Sequence, residues 1–348
     1  MKPVIKLKFL NGLYFETFKR EVFDINRVSD YFDFEESNKP DFIIFGPYGN
    51  DIPPKGNYCR IAYYCENITP DFKNCEWVFG VPREEEVNKP NYKRIQWHNT
   101  NPLLLIKPDS IDVQSIINTK KNFCNFLYSH QVNYREAFYK ELSKYKKVDA
   151  PGKSMNNMPS IDSTYKGDIW DRKKQFLQTY KFTIAFENYS YPGYQTEKLY
   201  DAMQMNSIPI YCGDPYIEDI FNTQSFINAF DILEPKYSIA VKNFEKKVQM
   251  DFVDIRPQFY KSLGYSVKRK VKYLGREFKM KVQFKNLNYK ALVDRIVEID
   301  ENESLYQKML QEPWFNKNTP PALDTVTERW KEIFSGKKQV VINVGKSQ

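Results

Sequence analysis

The residues best suited to chemistry lie within residues 186–213, which read FENYSYPGYQTEKLYDAMQMNSIPIYCG. Thr196 is of a type that caps helix N-termini, and Glu197 in the first turn would complement the helix dipole. Lys198 is unusual there, because a cation in the first turn opposes the dipole unless an anion lies nearby. A lysine and the free N–H groups of a helix start together suit phosphate. The segment therefore predicts a phosphate-binding helix start, with an ordinary helix cap as the alternative.

A nucleoside diphosphate that carries a sugar would suit the residue types around this helix start. Lys198 would neutralise the pyrophosphate, while the Glu197 carboxylate and the Asn188 amide would form hydrogen bonds with ribose or sugar hydroxyls. Tyr194 would form a wall of the pocket. An ordinary structural role stays open as well, with Asn188 as a turn former and Tyr194 as a packing residue.

Strand and helix patterns place these residues at the edge of a sheet. Open α/β sheets bind ligands at the carboxyl ends of their strands, and a buried strand pattern ends at residue 186. Strand patterns cover residues 4–9, 41–45, 60–64, 77–81, 123–128, 182–186 and 208–211, and helix patterns cover 15–23, 134–145, 171–179 and 196–205. This alternation predicts an α/β protein with two domains, parallel sheets and a cleft between the domains.

The positive charge of the 348-residue chain is concentrated in one segment. Residues 261–290 contain ten basic residues and one acidic residue, Glu277, which is a net charge of +9. Because the whole chain carries +8, the remainder carries −1. A protein that binds nucleic acid through its overall charge would be basic more widely, so nucleic acid is not expected as a partner.

The same segment alternates between basic and apolar residues on both sides of Gly275. This pattern over residues 267–273 and 278–285 predicts a two-stranded β-hairpin within 261–290, with an apolar docked face and a lysine-rich exposed face. The lysines would either only solvate the hairpin and deter edge pairing, or attract an anionic membrane surface or an acidic acceptor. No aromatic residue shares the lysine face, which is a further argument against nucleic acid.

The cysteine and histidine content bears on location and on metal chemistry. The five cysteines include no CxxC pair, and we find neither a signal-peptide pattern nor an apolar run long enough for a membrane span. We therefore expect free thiols in the cytoplasm. The two histidines, His98 and His130, are too few for a histidine-rich metal site. His130 follows a predicted strand, so it is a candidate to face a substrate.

The segment FENYSYPGYQTEKLYDAMQMNSIPIYCGDP resembles the donor-site motif of the α-1,3/4-fucosyltransferases of glycosyltransferase family 10, above all the bacterial members. Upstream, NFLYSHQVNYREAFYKELSKYKKVDAPGK is similar to the family's strand, arginine-bearing helix and glycine loop. YYCENITPDFKNCEWVFGVP is similar to a segment of the family's N-terminal domain, and DENESLYQKMLQEPWF is similar to its C-terminal helix. The most specific of these motifs is TEK in its FEN context.

The resemblance implies a GT-B fold, in which two Rossmann-like domains face a cleft. Residues 1–118 would then form the acceptor-side domain. Residues 119–318 would form the GDP-fucose-binding domain, with the basic hairpin of 261–290 as an insertion, and residues 319–348 would be a C-terminal tail. We know of no family counterpart for this insertion.

The resemblance also implies roles for six residues. Glu66 matches the family's general base, although Cys65 stands where bacterial relatives often have glycine. The donor-binding positions of the family match Arg135, Asn188, Tyr194, Glu197 and Lys198, with Arg135 and Lys198 as the pyrophosphate-binding cations. A surface carboxylate at position 66 and a helix ion pair at position 135 are the ordinary alternatives.

The implied reaction is an inverting transfer of L-fucose from GDP-fucose to a hydroxyl of a GlcNAc-containing glycan, with α-1,3 linkage expected. No tightly bound cofactor and no requirement for a divalent metal are expected. The acceptor would be N-acetyllactosamine-like or a lipid-linked or surface polysaccharide, and the protein would contact the inner face of a membrane peripherally through residues 261–290. The alternatives are a related transferase that uses another GDP-sugar and a non-catalytic module that binds glycans or anionic surfaces.

Overall fold

The computed structural model describes residues 1–49, 51–98, 100–236, 238–251, 262–321 and 323–336. Its strands are β1 Val4–Leu10, β2 Asp33–Glu36, β3 Phe42–Phe45, β4 Cys59–Tyr64, β5 Trp77–Gly80, β6 Tyr92–Arg94, β7 Asn122–Asn125, β8 Val148–Asp149, β9 Tyr180–Phe186, β10 Ile208–Cys212 and β11 Ile227–Asn228. Its α-helices are α1 Phe15–Phe18, α2 Glu84–Val87, α3 Val113–Thr119, α4 Asn133–Leu142, α5 Ile161–Thr164, α6 Ile169–Gln178, α7 Glu197–Gln204, α8 Ala229–Leu233, α9 Ile239–Val248, α10 Leu263–Gln283, α11 Tyr289–Glu301, α12 Glu303–Gln311 and α13 Leu323–Ser335.

The chain forms two compact units. The first contains the described residues of 1–101, 242–279 and 321–348, and the second contains 102–241 and 280–320. The sequence prediction placed 242–279 in the second domain and 319–348 in a tail, whereas the described residues of 242–279 and of 321–336 pack in the first unit. The prediction that the first domain serves the acceptor and the second the donor stays a prediction.

The first unit is built on a parallel sheet with the strand order β2-β1-β3-β4-β5-β6. β3 and β4 are buried along their whole length, as expected for inner strands of a parallel sheet that is covered on both faces. The helix α13 completes the core on one side. Its Trp330 stacks on Phe79 from β5 with ring centres 4.2 Å apart, and it also contacts Phe18 and Phe23.

The second unit contains a parallel sheet with the order β11-β10-β9-β7-β8. β7 and β9 are neighbours, with Asn125 opposite Thr183, so their carboxyl ends lie side by side. The helix predicted at 134–145 is present as α4, and the helix predicted at 196–205 is present as α7. The residues that follow β7 and β9 therefore meet at one edge of this sheet, beside the starts of both helices.

The prediction of a basic β-hairpin over residues 261–290 is wrong. Residues 263–283 form a single helix, α10, and residue 261 lies outside the described part of the chain. The apolar residues at 267, 271, 274 and 278 also fit helical spacing, and leucine, lysine, arginine, methionine and glutamate are strong helix formers. Gly275 is not at a turn. A Cβ atom there would lie 2.6 Å from Val248 Cγ1, so this glycine lets α10 pack closely on α9.

Candidate active site

The predicted helix start at Thr196 is confirmed. α7 begins at Glu197, and the hydroxyl of Thr196 accepts a hydrogen bond from the Lys198 backbone N–H at 3.4 Å. The fully buried carboxylate of Glu187, which directly follows β9, accepts hydrogen bonds from the backbone N–H and the hydroxyl of Thr196, both at 2.9 Å. The carboxyl end of β9 and the start of α7 are thereby joined through side-chain contacts.

The ammonium group of Lys198 lies against the same two elements. Its Nζ is 3.2 Å from Glu187 Oε2 and 3.7 Å from Glu197 Oε1, and it donates a hydrogen bond to Thr196 Oγ1 at 3.0 Å. Burial by itself would lower the pKa of Lys198, but the carboxylates of Glu187 and Glu197 raise it well above its ordinary value. Lys198 is therefore a permanently charged and positionally fixed cation.

The two carboxylates beside Lys198 are shifted in opposite directions. Burial raises the pKa of Glu187 above its ordinary value, although the charge of Lys198 opposes the shift. Burial also acts to raise the pKa of Glu197, but Lys198 and Lys173 more than offset it and the pKa is lowered. Lys173 comes from α6, and its Nζ lies 3.9 Å from Glu197 Oε1 and 2.6 Å from Asp201 Oδ2. Glu197 is thus the more readily ionised of the two.

Arg135 enters the site from α4 on an aromatic support. Its side chain is fully buried, and its guanidinium carbon lies 3.6 Å from the centre of the Tyr128 ring. The Tyr128 hydroxyl donates a hydrogen bond to the Ile184 carbonyl of β9 at 2.7 Å. A Cβ atom at Gly152 would lie 2.2 Å from the Tyr128 carbonyl oxygen, so the glycine loop packs directly against this support. The position of the guanidinium is consequently set by three separate elements.

The guanidinium also binds the residues on either side of the buried carboxylate after β9. Nη1 donates to the Phe186 carbonyl at 3.3 Å and to Asn188 Oδ1 at 3.0 Å, while Nη2 donates to the His130 carbonyl at 2.7 Å. Nε is buried with no hydrogen-bond partner. Arg135 thus binds residues 186 and 188, and Lys198 pairs with Glu187 between them. The two cations are therefore held by three consecutive residues and lie close together.

Four of the predicted donor-binding residues line a cavity of about 240 Å³ in the second unit. They are Arg135, Asn188, Glu197 and Lys198. Lys173 and the exposed His130 line the same cavity. The charged lining thus includes three cations and a single carboxylate, which favours an anionic ligand.

Tyr194 lies in the loop before α7 and is buried. Its carbonyl oxygen accepts a hydrogen bond from the Tyr211 hydroxyl at 3.3 Å. It is not among the described residues that line the cavity. A donor contact by Tyr194 stays a prediction.

Glu66 lies in the first unit, shortly after β4. It is half-buried, and its Oε1 accepts a hydrogen bond from the Tyr48 hydroxyl at 2.5 Å. Burial raises the pKa of Tyr48, and the neighbouring Cys65 and Glu66 add to the shift, so the phenol stays protonated as the donor. Burial likewise raises the pKa of Cys65 to about 12. The only described side-chain hydrogen bond that Glu66 accepts is therefore from a neutral phenol, and its role as a base stays a prediction.

The sequence prediction did not include Glu187, Lys173 or Tyr128 among the site residues. Glu187 had the clearest signal, because it is the first residue after a strand that is buried along its length. Tyr128 also follows a strand, but its role as a support for a cation depends on packing. Lys173 lies on an amphipathic helix next to another lysine, and nothing in the sequence distinguishes the two.

Two kinds of site are not found in the described part of the chain. In the described ranges, no group of three His, Cys, Asp or Glu side chains lies close enough to hold a metal ion. None of the helices described above is both long enough and apolar enough to cross a membrane.

Two parallel α/β sheets, with a cationic cavity at the carboxyl ends of the strands of one of them, are typical of the GT-B fold. A solved α1,3-fucosyltransferase with GDP-fucose superposes with a TM-score of 0.62 at 20% identity, covering 96% of this chain and 91% of that one. At this identity the likeness establishes the fold.

Sequence comparisons show similarity to one family over part of the chain. Residues 117–251 match the model described as glycosyltransferase family 10 (fucosyltransferase) C-term. An α-(1,3)-fucosyltransferase of Helicobacter pylori is 29% identical over 299 residues, which cover 76% of this chain and 58% of that protein. A fucosyltransferase-named protein of Acanthamoeba polyphaga mimivirus is 34% identical over 164 residues, which cover 44% of this chain and 25% of the relative. Residues 117–251 thus resemble glycosyltransferase family 10. The chain spans only about a quarter to three fifths of the length of these relatives.

Proposed function

We propose that the protein transfers L-fucose from GDP-fucose to a glycan hydroxyl, with α-1,3 linkage and inversion at the anomeric carbon. The observation that carries the proposal is the meeting of Arg135 and Lys198, from separate helices, at one cavity with Asn188 and Glu197. The family supports a fucosyl donor, and the names of the relatives support the α-1,3 linkage.

In the proposed donor complex the pyrophosphate lies against the two cations. Lys198 and the N-terminus of α7 face one phosphate, and the unpaired Nε of Arg135 offers a buried donor for another. The Glu197 carboxylate, whose pKa is lowered, is ionised at neutral pH and accepts hydrogen bonds from sugar hydroxyls. Asn188 is oriented by Arg135 and offers its amide N–H₂ to the donor.

In the proposed reaction, an acceptor hydroxyl attacks the anomeric carbon from the face opposite GDP. The new C–O bond forms as the bond to the β-phosphate oxygen breaks, and the Glu66 carboxylate accepts the proton of the hydroxyl. The transition state has oxocarbenium character, and the bond electrons leave with GDP. A positioned base of this kind contributes on the order of 10²–10⁴-fold.

The leaving GDP gains negative charge, which Lys198 and Arg135 would stabilise. Both cations are held in place before the reaction, so no reorganisation is needed as the charge develops. We propose that this pair makes a divalent metal unnecessary.

The acceptor and the location complete the proposal. We propose a GlcNAc-containing acceptor, either N-acetyllactosamine-like or a lipid-linked or surface polysaccharide. All five cysteines are free thiols, which supports a reducing compartment, the cytoplasm. Peripheral contact with an anionic membrane belongs to the same proposal.

The test is a transfer assay with GDP-fucose across a small glycan panel, with product linkage determined and EDTA present in one arm. Lys198→Ala is expected to lower both turnover and GDP affinity at least about tenfold, because a fixed cation is lost. Lys140→Ala, an exposed lysine on α4, is the matched control. Normal turnover and GDP affinity in Lys198→Ala would contradict the proposal. A preference of the wild type for another GDP-sugar would identify that GDP-sugar as the donor.

A further inference from the structure

The helix α10 carries a stripe of exposed apolar side chains. Leu263, Val267, Val271, Leu274 and Phe278 are each more than half exposed. At 3.6 residues per turn they fall within an arc of about 80°, and the stripe is roughly 22 Å long. Contiguous exposed apolar surface of this kind marks an interaction site more often than single scattered residues do.

The opposite face of α10 is polar and packs into the first unit. Lys279 is almost fully buried, with its Nζ 3.4 Å from Glu245 Oε2 of α9. Lys272 Nζ lies 2.7 Å from Asp251 Oδ2. The usual arrangement is therefore partly reversed, because Lys272 and Lys279 face the protein while the apolar stripe faces outward. Burial of an ion pair adds little net stability. The gain from these ion pairs therefore does not explain why the apolar residues of α10 face outward.

Positive charge borders the stripe on both sides. Lys270 and Lys268 flank it, and both are exposed, although Lys268 also lies 3.5 Å from Asp251. A cavity of about 410 Å³ beside Lys270 is lined in addition by Arg269 and Arg276, together with Ser266, Tyr273 and Met250. An apolar stripe bordered by lysines is the pattern of helices that lie in the plane of an anionic bilayer.

We propose that the exposed face of α10 docks on the surface of an anionic lipid bilayer. The apolar stripe would enter the boundary between headgroups and acyl chains, and the flanking lysines would contact acidic headgroups. A second copy of the chain suits this face less well, since pairing two identical faces would bring their lysines together. This proposal specifies the residues that make the membrane contact included in the proposed function, and it does not depend on sugar transfer.

The experiment measures co-sedimentation of the full chain with vesicles of phosphatidylcholine, with and without phosphatidylglycerol. The wild type is expected to bind only the anionic vesicles. The triple variant Val267→Ser/Val271→Ser/Leu274→Ser should lose at least about tenfold in partitioning, because it replaces three apolar side chains that would be buried in the bilayer. Lys268→Glu/Lys270→Glu should lose about fivefold or more for each charge, with the binding of the wild type decreasing as salt is added.

The matched control is the triple variant Val4→Ser/Leu104→Ser/Ile169→Ser, which replaces three similarly exposed apolar residues outside α10. It should bind the anionic vesicles as the wild type does. Retained GDP affinity and circular dichroism show that the α10 variants are folded. Equal binding to neutral vesicles, no binding to either kind, or unchanged binding of the triple variant overturns the proposal. A wild-type dimer that the triple variant abolishes would assign the face to a second copy. Loss of transfer activity with vesicle binding intact would count against the proposed function alone.

Discussion

Replacement of Arg135 by lysine keeps the positive charge but removes the fork of donors that positions the site. The guanidinium makes three hydrogen bonds to oxygen atoms, one of the bonds buried and two partly buried, and stacks on Tyr128. A lysine ammonium on the same backbone can satisfy at most one of these oxygens, which leaves two unpaired at roughly 1–2 kcal/mol each. Loss of the desolvated cation–π contact adds roughly 1 kcal/mol. We therefore expect Arg135→Lys to reduce the stability of this region by about 4 kcal/mol.

Hydrogen–deuterium exchange of the peptides that cover α4 and the end of β9 would measure this loss locally, with urea unfolding as a global check. GDP affinity should fall about tenfold or more, because Asn188 and the residues after β9 lose their anchor. Arg295→Lys is the matched control, since Arg295 forms a half-exposed ion pair with Glu298 on α11. A loss of protection smaller than about 1 kcal/mol, or unchanged GDP affinity, would refute the role assigned to the Arg135 fork.

Three further predictions test other parts of the molecule. Glu66→Gln should lower kcat by about 10²–10⁴-fold and leave GDP affinity unchanged, and a normal kcat would rule Glu66 out as the base. Glu187→Gln leaves Lys198 buried without its nearest countercharge, so urea unfolding should show a loss of about 3 kcal/mol; an unchanged midpoint would contradict the pairing. Burial lowers the pKa of Lys107 from 10.5 to about 7, although Glu312 opposes the shift. Between pH 7 and pH 10.5 the unfolded chain therefore binds more protons than the folded chain, so the free energy of unfolding rises with pH. Lys107→Met should abolish this rise, and a variant with the wild-type pH profile of stability would be evidence against it.

The sequence alone predicted most of the parallel strands and the core of the site. Local rules set the positions of residues that follow a buried strand or lie in the first turn of a capped helix, and Asn188, Glu197 and Lys198 line one cavity. Their roles in donor binding stay predictions. Arg135 was placed by resemblance, and the structure adds the contacts that fix it. Glu187 also follows the buried strand β9, but its contacts with Thr196 and Lys198 depend on tertiary packing, and it was not named as a site residue.

The basic segment shows where sequence patterns fail. Alternation of lysine with apolar residues fits a strand, but the same apolar positions also fit a helix, and the choice depends on tertiary packing. Gly275 was interpreted as a turn residue, whereas it marks the close approach of α10 to Val248. The inward-facing charges of α10 could not be inferred, because burial of lysine contradicts the usual pattern on which the inference is based.

The packing of α13 has a consequence for the order of folding during synthesis. Trp330 and Phe334 fill the core around Phe23 and Phe79, yet they are separated from those residues by more than 200 positions of chain. The N-terminal sheet therefore emerges from the ribosome long before the helix that covers it. A nascent chain that has not yet reached Leu323 leaves this aromatic surface uncovered. Chaperone binding and premature termination should therefore affect the first unit most.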